Sequence, residues 1–455
     1  MKTIKERKQE GKEVRKDTSR RELGRWEVRP NRKIVEELIS KQEASRVQSL
    51  IPLRRQRMAV SPFTFFRGAA VLQAHDLASA PKTPFTVQAC GDAHISNFGL
   101  YASAERRMVF DINDFDETLP APFETDIKRL LASVEICGRD RKFTADQRQQ
   151  VVYEAAAMYR KTMREHSDSG NMEVWYEHID IRNFMNDRKD EIDEQQAKLM
   201  NSTVQKAMTR TSSFAVGKLL ENVNGELRIK SSPPLVVSAR DMTPEEKKEF
   251  DFRYDLANMM EIYKNSLSVQ RRRLLDQYEP LELAHKVVGV GSVGRQTWIL
   301  VLMGRENGDP LVLQIKEADH SVLEEYYGAS SYSNCGQRVV EGQRSIQTAG
   351  DILLGWARLK TISGKEKDFY VRQLWDDKGS FDLKNISCEG YRGLSLMCAW
   401  TLATAHAKTG DRHAIAGYLG KNDSFETAMT GYARAYADQN EADYETFLKF
   451  SRAML

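Results

Sequence analysis

An Asp followed five residues later by an Asn, with a further Asp beyond a short β-hairpin, is a spacing that phosphoryl transfer can use. This 455-residue sequence carries it as Asp92, Asn97 and Asp114, within CGDAHISN (90–97) and DINDFDE (111–117). In that chemistry the first Asp accepts the proton of an attacking hydroxyl, and the Asn and later Asp hold Mg²⁺ against nucleotide phosphates. So many acids beside strands are costly to bury unless cations or hydrogen bonds compensate. The competing use of such acids is capping, because Asp is favoured at turns and helix N-termini. Asp116 and Glu117 read best that way. Asp111 lies near the expected distance from Asn97 and is a reserve metal ligand behind Asp114. His94 is expected to brace the loop by hydrogen bonding rather than to act as a base.

A second motif lies two hundred residues on. Residues 288–294 read VGVGSVG and contain G-x-G-x-x-G, a pattern shared by dinucleotide-binding and kinase loops. A dinucleotide-binding loop opens a helix, whereas the following TWILVL (297–302) is β-branched and aromatic and predicts a strand. A strand, glycine loop and strand is the kinase hairpin that covers phosphates, here through Gly289, Gly291, Ser292 and Gly294. The next strand, LVLQIK, ends in Lys316, placed to contact α/β-phosphate oxygens as the lysine of V-A-I-K does. Glu341 in RVVEGQRSIQ is the expected acid partner of Lys316, with Glu324 and Glu325 as alternatives. Residues 369–375 would lead into a hinge whose backbone meets adenine.

G-D-x-H-x-x-N resembles the catalytic loop of aminoglycoside- and choline-kinase-like phosphotransferases, with Cys90 where those have His. Asp114-Phe115 and Asp126-Ile127 match the metal-binding Asp of that group and the second Asp twelve residues on. Further strings (SPFTFFRG, FDINDFDE, DIKRLLAS, LQIKEA, RVVEGQR, TLATAHAKTGD) resemble a bacterial family catalogued as domain of unknown function 2252, from about residue 30 onward. The resemblance implies a protein-kinase-like fold and names no substrate. In ordinary kinases the glycine loop and lysine precede the catalytic Asp. Here Asp92 precedes Lys316, so the motif order implies a circular permutation, which is tolerable where the ordinary termini lie close at the surface. It follows that Lys316 and Asp114 must face one cleft.

The elements needed to position these motifs give an α+β fold with two lobes: a β-rich nucleotide-binding lobe and a larger, mainly helical one. The expected divisions are a basic helical leader (1–57), a helical lobe with the catalytic and metal-binding loops (58–280), the β-rich lobe (281–378), and C-terminal helices returning to the catalytic lobe (379–455). Residues 243–280 read as one long charged helix, and 391–408 as an apolar one whose His406 is a satisfied core histidine. Arg67 stands where it could clamp a phosphate or carboxylate or pair with a nearby acid, while Lys128 and Arg129 read as ion-pair formers.

Composition narrows the rest. The formal charge is +3, yet residues 1–60 hold 18 Lys/Arg against 9 Asp/Glu. A basic arm of that kind can bind nucleic acid, but without interleaved aromatic stacking platforms it reads as a solvated leader. Five cysteines, odd in number and without C-x-x-C, argue against a disulfide framework and a zinc site. No run approaches the roughly 18 apolar residues of a membrane span, so a cytoplasmic location is expected. The expected function is ATP- and Mg²⁺-dependent transfer of a phosphoryl group to a hydroxyl-bearing acceptor, a small molecule or a protein. The alternatives are a pseudokinase-like nucleotide-binding module, an AMP-transferring enzyme and, with fewer of its ligand motifs present, a metallophosphoesterase.

Overall fold

The computed structural model describes residues 2–183, 194–209, 217, 219–224, 226–251, 255–287, 289–304, 309–374 and 379–452. Its fold is mixed α+β. The N-terminal segment forms α1 (Ile4–Glu13), α2 (Arg20–Leu23), α3 (Val35–Glu43) and α4 (Ile51–Met58). Thr3 and Ser19 open the first two with reciprocal capping boxes to Glu6 and Glu22. This leader is not a solvated arm. Arg7 pairs with Asp411 at 2.7 Å, Arg15 donates to the Tyr418 carbonyl and Arg20 to that of Leu419. A Cβ at Gly11 would meet the Ala414 carbonyl oxygen at 1.9 Å, so only a bare backbone lets α1 lie this close. Several of its cations are spent on the C-terminal helices, which weakens the case for a nucleic-acid arm.

Next come α5 (Pro62–Gly68), α6 (Ala70–Ala78) and β1 (Thr86–Ala89), then the hairpin of β2 (Phe98–Ala102) and β3 (Met108–Ile112) and β4 (Leu119–Pro122), which pairs antiparallel with β1. The helices α7 (Glu124–Asp140) and α8 (Ala145–His166) carry the main core. Beyond them lie α9 (Asn171–Tyr176), β5 (Ile179–Asp180), α10 (Glu194–Met208) and the hairpin of β6 (Leu220–Val223) and β7 (Glu226–Ile229).

From β8 (Val236–Ser238) the chain makes α11 (Pro244–Phe250), α12 (Leu256–Asn265), α13 (Val269–Leu275), β9 (Tyr278–Lys286), β10 (Thr297–Gly304), β11 (Pro310–Ala318), α14 (Glu324–Tyr327), α15 (Cys335–Ile346), β12 (Gly355–Lys360) and β13 (Glu366–Gln373). Six of these strands form one antiparallel sheet in the order β12-β13-β11-β10-β9-β8. Alternation along β11 sends Leu311, Leu313 and Ile315 to one core, with Phe250, Met259 and Tyr263 of the covering helices. Val312 faces the other way, where Ile299, Val301 and Leu374 meet Leu219, Leu220 and Ile229 of the β6–β7 hairpin. Lys316, four residues from Val312, shares this second face.

Two expectations are corrected here. The expected helix over 243–280 is three short ones, because Asp251 takes a left-handed φ of 47° and the Asp255 side chain caps a new start. The expected boundary at 280 cuts the six-stranded sheet, since β8 pairs with β9 and α11 to α13 build the sheet's own core.

The last helices, α16 (Cys388–Thr409), α17 (Arg412–Leu419) and α18 (Ser424–Arg452), return to the body that holds α7 and α8. α16 is apolar around most of its circumference, as a helix inside a core must be, and buries Leu394, Cys398, Leu402 and His406. Among the described residues no helix is long and apolar enough to cross a membrane.

Candidate functional site

The loop from Cys90 to Asn97 is held from behind. Gly91 adopts φ +84°, and a Cβ there would strike the Glu117 carbonyl oxygen at 2.1 Å, so the position requires glycine. Asp126, in the first turn of α7, accepts the amides of Cys90 at 2.7 Å and Gly91 at 3.0 Å. His406 Nε2 lies 3.3 Å from the same carboxylate and its Nδ1 meets Tyr159 at 2.7 Å, which satisfies both ring nitrogens inside the core. The Asn97 amide donates to the Asp92 carbonyl at 2.7 Å. The register Phe98↔Ile112, with Asn113 N donating to Asn97 O at 2.8 Å, puts Asn97 opposite Asn113, the chain neighbour of Asp114, at the open end of the β2–β3 hairpin.

Asp92 faces a small cavity, about 40 Å³, shared with Arg67, Asp114, Asp116, Gly291 and Ser292. Burial pushes its carboxyl up to about 6; Arg129, donating to Oδ1 at 2.8 Å, opposes the rise, and Asp114 adds to it. Arg129 is itself fixed by the Phe66 carbonyl, the Gln73 amide oxygen and the Phe66 ring, 3.7 Å away. Burial holds His94 well below the ordinary histidine range, with Arg67 and Arg129 adding to the effect. Its Nδ1 has no hydrogen-bond partner and its Nε2 is 3.8 Å from Asp92 Oδ2. The expected side-chain brace is therefore absent; the His94 backbone does that work, its amide donating to Asp92 O and its carbonyl accepting from Asn97 N.

Lys316 projects from β11 beside this cavity without lining it, and is 3% exposed. Its ammonium donates to Asp116 and lies 3.8 Å from Asp114 Oδ2. Burial disfavours its charge, but Asp114 and Asp116 outweigh that and hold its pKa above the ordinary lysine value. Asp116 also accepts from the Tyr370 hydroxyl at 2.8 Å and lies 3.6 Å from Arg295, whose other terminal nitrogen is 3.4 Å from Glu117. Burial works against the Asp116 carboxylate too, yet Lys316 and Arg295 keep its pKa below the usual range. Asp116 and Glu117 are thus committed to buried ion pairs and are not simple turn caps, although they line the same cavity as Asp92 and Asp114. The turn is made by Asp114, whose Oδ1 accepts the Asp116 amide at 3.2 Å.

The glycine loop closes the cavity from above. Gly289 and Gly294 have φ of +67° and +89°, conformations open to glycine. Arg46 donates to the Gly291 and Val293 carbonyls, Arg57 to Gly289 O, and Val47 N to Gly294 O at 2.8 Å. The loop is therefore tied to the N-terminal segment.

Several expected partners lie elsewhere. Glu341 pairs with Arg344 at 2.9 Å rather than with Lys316, and it is Arg338 of the same helix that reaches the site, donating to the Asp116 and Thr118 carbonyls. Glu324 pairs with His320 and Glu325 with Lys41. Asp111 points into the helical body toward Tyr101 and Lys408, where burial raises it to about 6; it does not join Asp114. Lys128 lies under the Tyr432 ring at 5.0 Å beside Glu124, whereas Arg129 forms the ion pair expected of it. Val288 and the hinge end at Trp375 lie outside the described residues. Asp116, Arg129, Arg295 and Arg46 are the site residues that motif spacing missed; only the density of charge around residues 111–117 hinted at them.

No curated protein and no solved structure matches the chain. One family does match, over residues 46–450, nearly the whole length, and its description is an uncharacterized protein conserved in bacteria. The chain belongs to that family, DUF2252.

Proposed function

We propose that this chain is an ATP- and Mg²⁺-dependent phosphotransferase that moves a phosphoryl group onto an acceptor hydroxyl, on a two-lobed, protein-kinase-like scaffold with circularly permuted motif order. One observation carries the reading: Lys316 Nζ comes within 3.8 Å of Asp114 Oδ2, between sequence-distant segments, beside a cavity shared by Asp92 and the glycine loop. Gly291 and Ser292 of the glycine loop share one cavity with Asp92 and Asp114, and the strand lysine meets that cavity's acids from behind.

In this reading Asp92 takes the proton from the acceptor hydroxyl, and a carboxylate tuned to about 6 suits that task near neutral pH. Lys316, held by Asp116, meets α/β-phosphate oxygens. Asn97 and Asp114 would be the donors for Mg²⁺, an ion that takes one or two protein oxygens and completes its shell with water and substrate phosphate. Such an ion would neutralise charge on the β- and γ-oxygens. Adenine would stack on the sheet face of Val312, Ile299 and Val301, which Leu219, Leu220 and Ile229 now cover.

The test is calorimetric titration of wild type, Lys316→Ala and Asp114→Ala with ATP, with and without Mg²⁺. Magnesium-dependent binding weakened by both substitutions is the expected result. A folded wild type that binds no nucleotide overturns the proposal. Product analysis then distinguishes phosphoryl from AMP transfer.

A further inference from the structure

Three arginines at the cavity are already committed. Arg46 holds glycine-loop carbonyls, Arg129 holds Asp92, and Arg295 holds Asp116 and Glu117. Arg67 is different. Its Nε is buried without a hydrogen-bond partner, and among the described residues its guanidinium has no ion pair, only the Phe63 ring at 6.0 Å. The side chain is nevertheless placed firmly. It stands in the last turn of α5, whose end is fixed by Arg54 donating to the Gly68 carbonyl and Arg129 to that of Phe66, both at 2.7 Å. A Cβ on Gly291 would sit 3.3 Å from the Arg67 carbonyl oxygen, which puts Arg67 directly under the tip of the glycine loop. Asp92 and Asp114 are the acids whose fields reach it.

A partly buried guanidinium facing a cavity with no protein anion in contact is an incomplete site, because burial of an unpaired charge is costly. The group that completes it is an anion with oxygen acceptors matched to a planar donor fork. We infer that Arg67 grips the terminal phosphoryl group of the nucleotide, between the glycine-loop tip, Asp92 and Asp114, and stabilises the charge that group carries during transfer. This rests on the phosphotransferase reading and adds a residue from a helix that none of the phosphotransfer motifs includes. The same chemistry could instead serve a phosphate carried by the acceptor, and the experiment separates the two.

Wild type, Arg67→Gln and Arg67→Lys are titrated with MgATP and MgADP, with thermal melting as the check on folding. For R67Q we expect MgATP binding to weaken by about tenfold or more, the scale of a lost charge-assisted contact, and MgADP binding to stay within about twofold. R67K keeps the charge without the fork, so it falls between the two, and it carries the test if R67Q does not fold. Equal weakening of both nucleotides, or of neither, overturns the assignment to the terminal phosphoryl group, and a neutral result for both directs Arg67 to the acceptor. A wild type that binds neither nucleotide overturns the phosphotransferase reading and this assignment with it. Wild-type binding of both with R67Q unchanged overturns this assignment alone.

Discussion

Asp116 is the acid that holds Lys316, so loss of either member of the pair should cost nearly as much as loss of both. The perturbation is Asp116→Asn, alone and with Lys316→Met. Both side chains are largely buried, and breaking a buried ion pair by removing one partner costs about 3–5 kcal/mol. Removing Lys316 leaves Asp116 with the Tyr370 hydroxyl at 2.8 Å and Arg295 at 3.6 Å, which places K316M near about 3 kcal/mol. Removing the Asp116 charge leaves Lys316 with Asp114 alone, 3.8 Å away, and takes an anion from Arg295, so D116N belongs nearer about 5 kcal/mol. At roughly 2.1 cal/mol/K per residue, a chain of 455 residues melts with about 1 kcal/mol/K, so the single variants should lower the melting temperature by about 3 and 5 °C. Independent effects would sum to about 8 °C; a shared pair predicts that the double variant stays near 5 °C. Scanning calorimetry reads this, and MgATP titration of the same three proteins should show affinity falling about tenfold in each, without compounding. Additive losses, or unchanged nucleotide affinity in D116N, would refute the pairing as the device that positions Lys316.

Other consequences are equally direct. Asp92→Asn should abolish transfer in a product assay while MgATP affinity stays within about twofold, because the proposed mechanism has Asp92 meet the acceptor and not the nucleotide. Because burial raises Asp92 to about 6, its base form is lost as pH falls through that value; the pH–rate profile should plateau above about pH 7 and drop roughly tenfold per unit below about pH 5. Glu341→Gln should leave MgATP affinity unchanged within about twofold, since Glu341 pairs with Arg344; a loss matching that of K316M would return the helix glutamate to the site. Gly91→Ala should destabilise the protein by more than about 2 kcal/mol in chemical denaturation, because the Glu117 backbone against it cannot yield.

Most of the elements that carry the motifs could be read from the sequence. The strands around residues 86–112, the helices after Asp126 and the run from TWILVL through Lys316 declare themselves by period and β-branching, because burial on one face or both leaves that imprint. The convergence of Asp114 and Lys316 was also legible, since each motif makes chemical sense only beside the other. The charge partners were not. Glu341 has the right spacing for a lysine partner, but its carboxylate pairs with Arg344 while Arg338 of the same helix reaches the site, and which helix side chain makes the tertiary contact is invisible to a motif. Asp116 looked like a turn residue because its partners lie two hundred positions away. The boundary at 280 failed for a similar reason: β8 is three residues long, too short to show a period.

The support behind the Asp92 loop also bears on how the protein is made. Asp126 fixes the loop amides, and its own partner, His406, lies 280 residues later in the chain. On a ribosome adding about 5–20 residues per second, that separation lasts roughly 15–60 s. Throughout that interval α7 and α8 lack the apolar helix that completes their core, and the nascent protein exposes a surface that chaperones bind and proteases cleave. Pairings this distant also slow folding after release, because loop closure comes before its reward. A chain ended by premature termination before residue 388 would keep Asp92, Asn97, Asp114, the glycine loop and Lys316, yet lose the His406 that backs Asp126 behind the Asp92 loop.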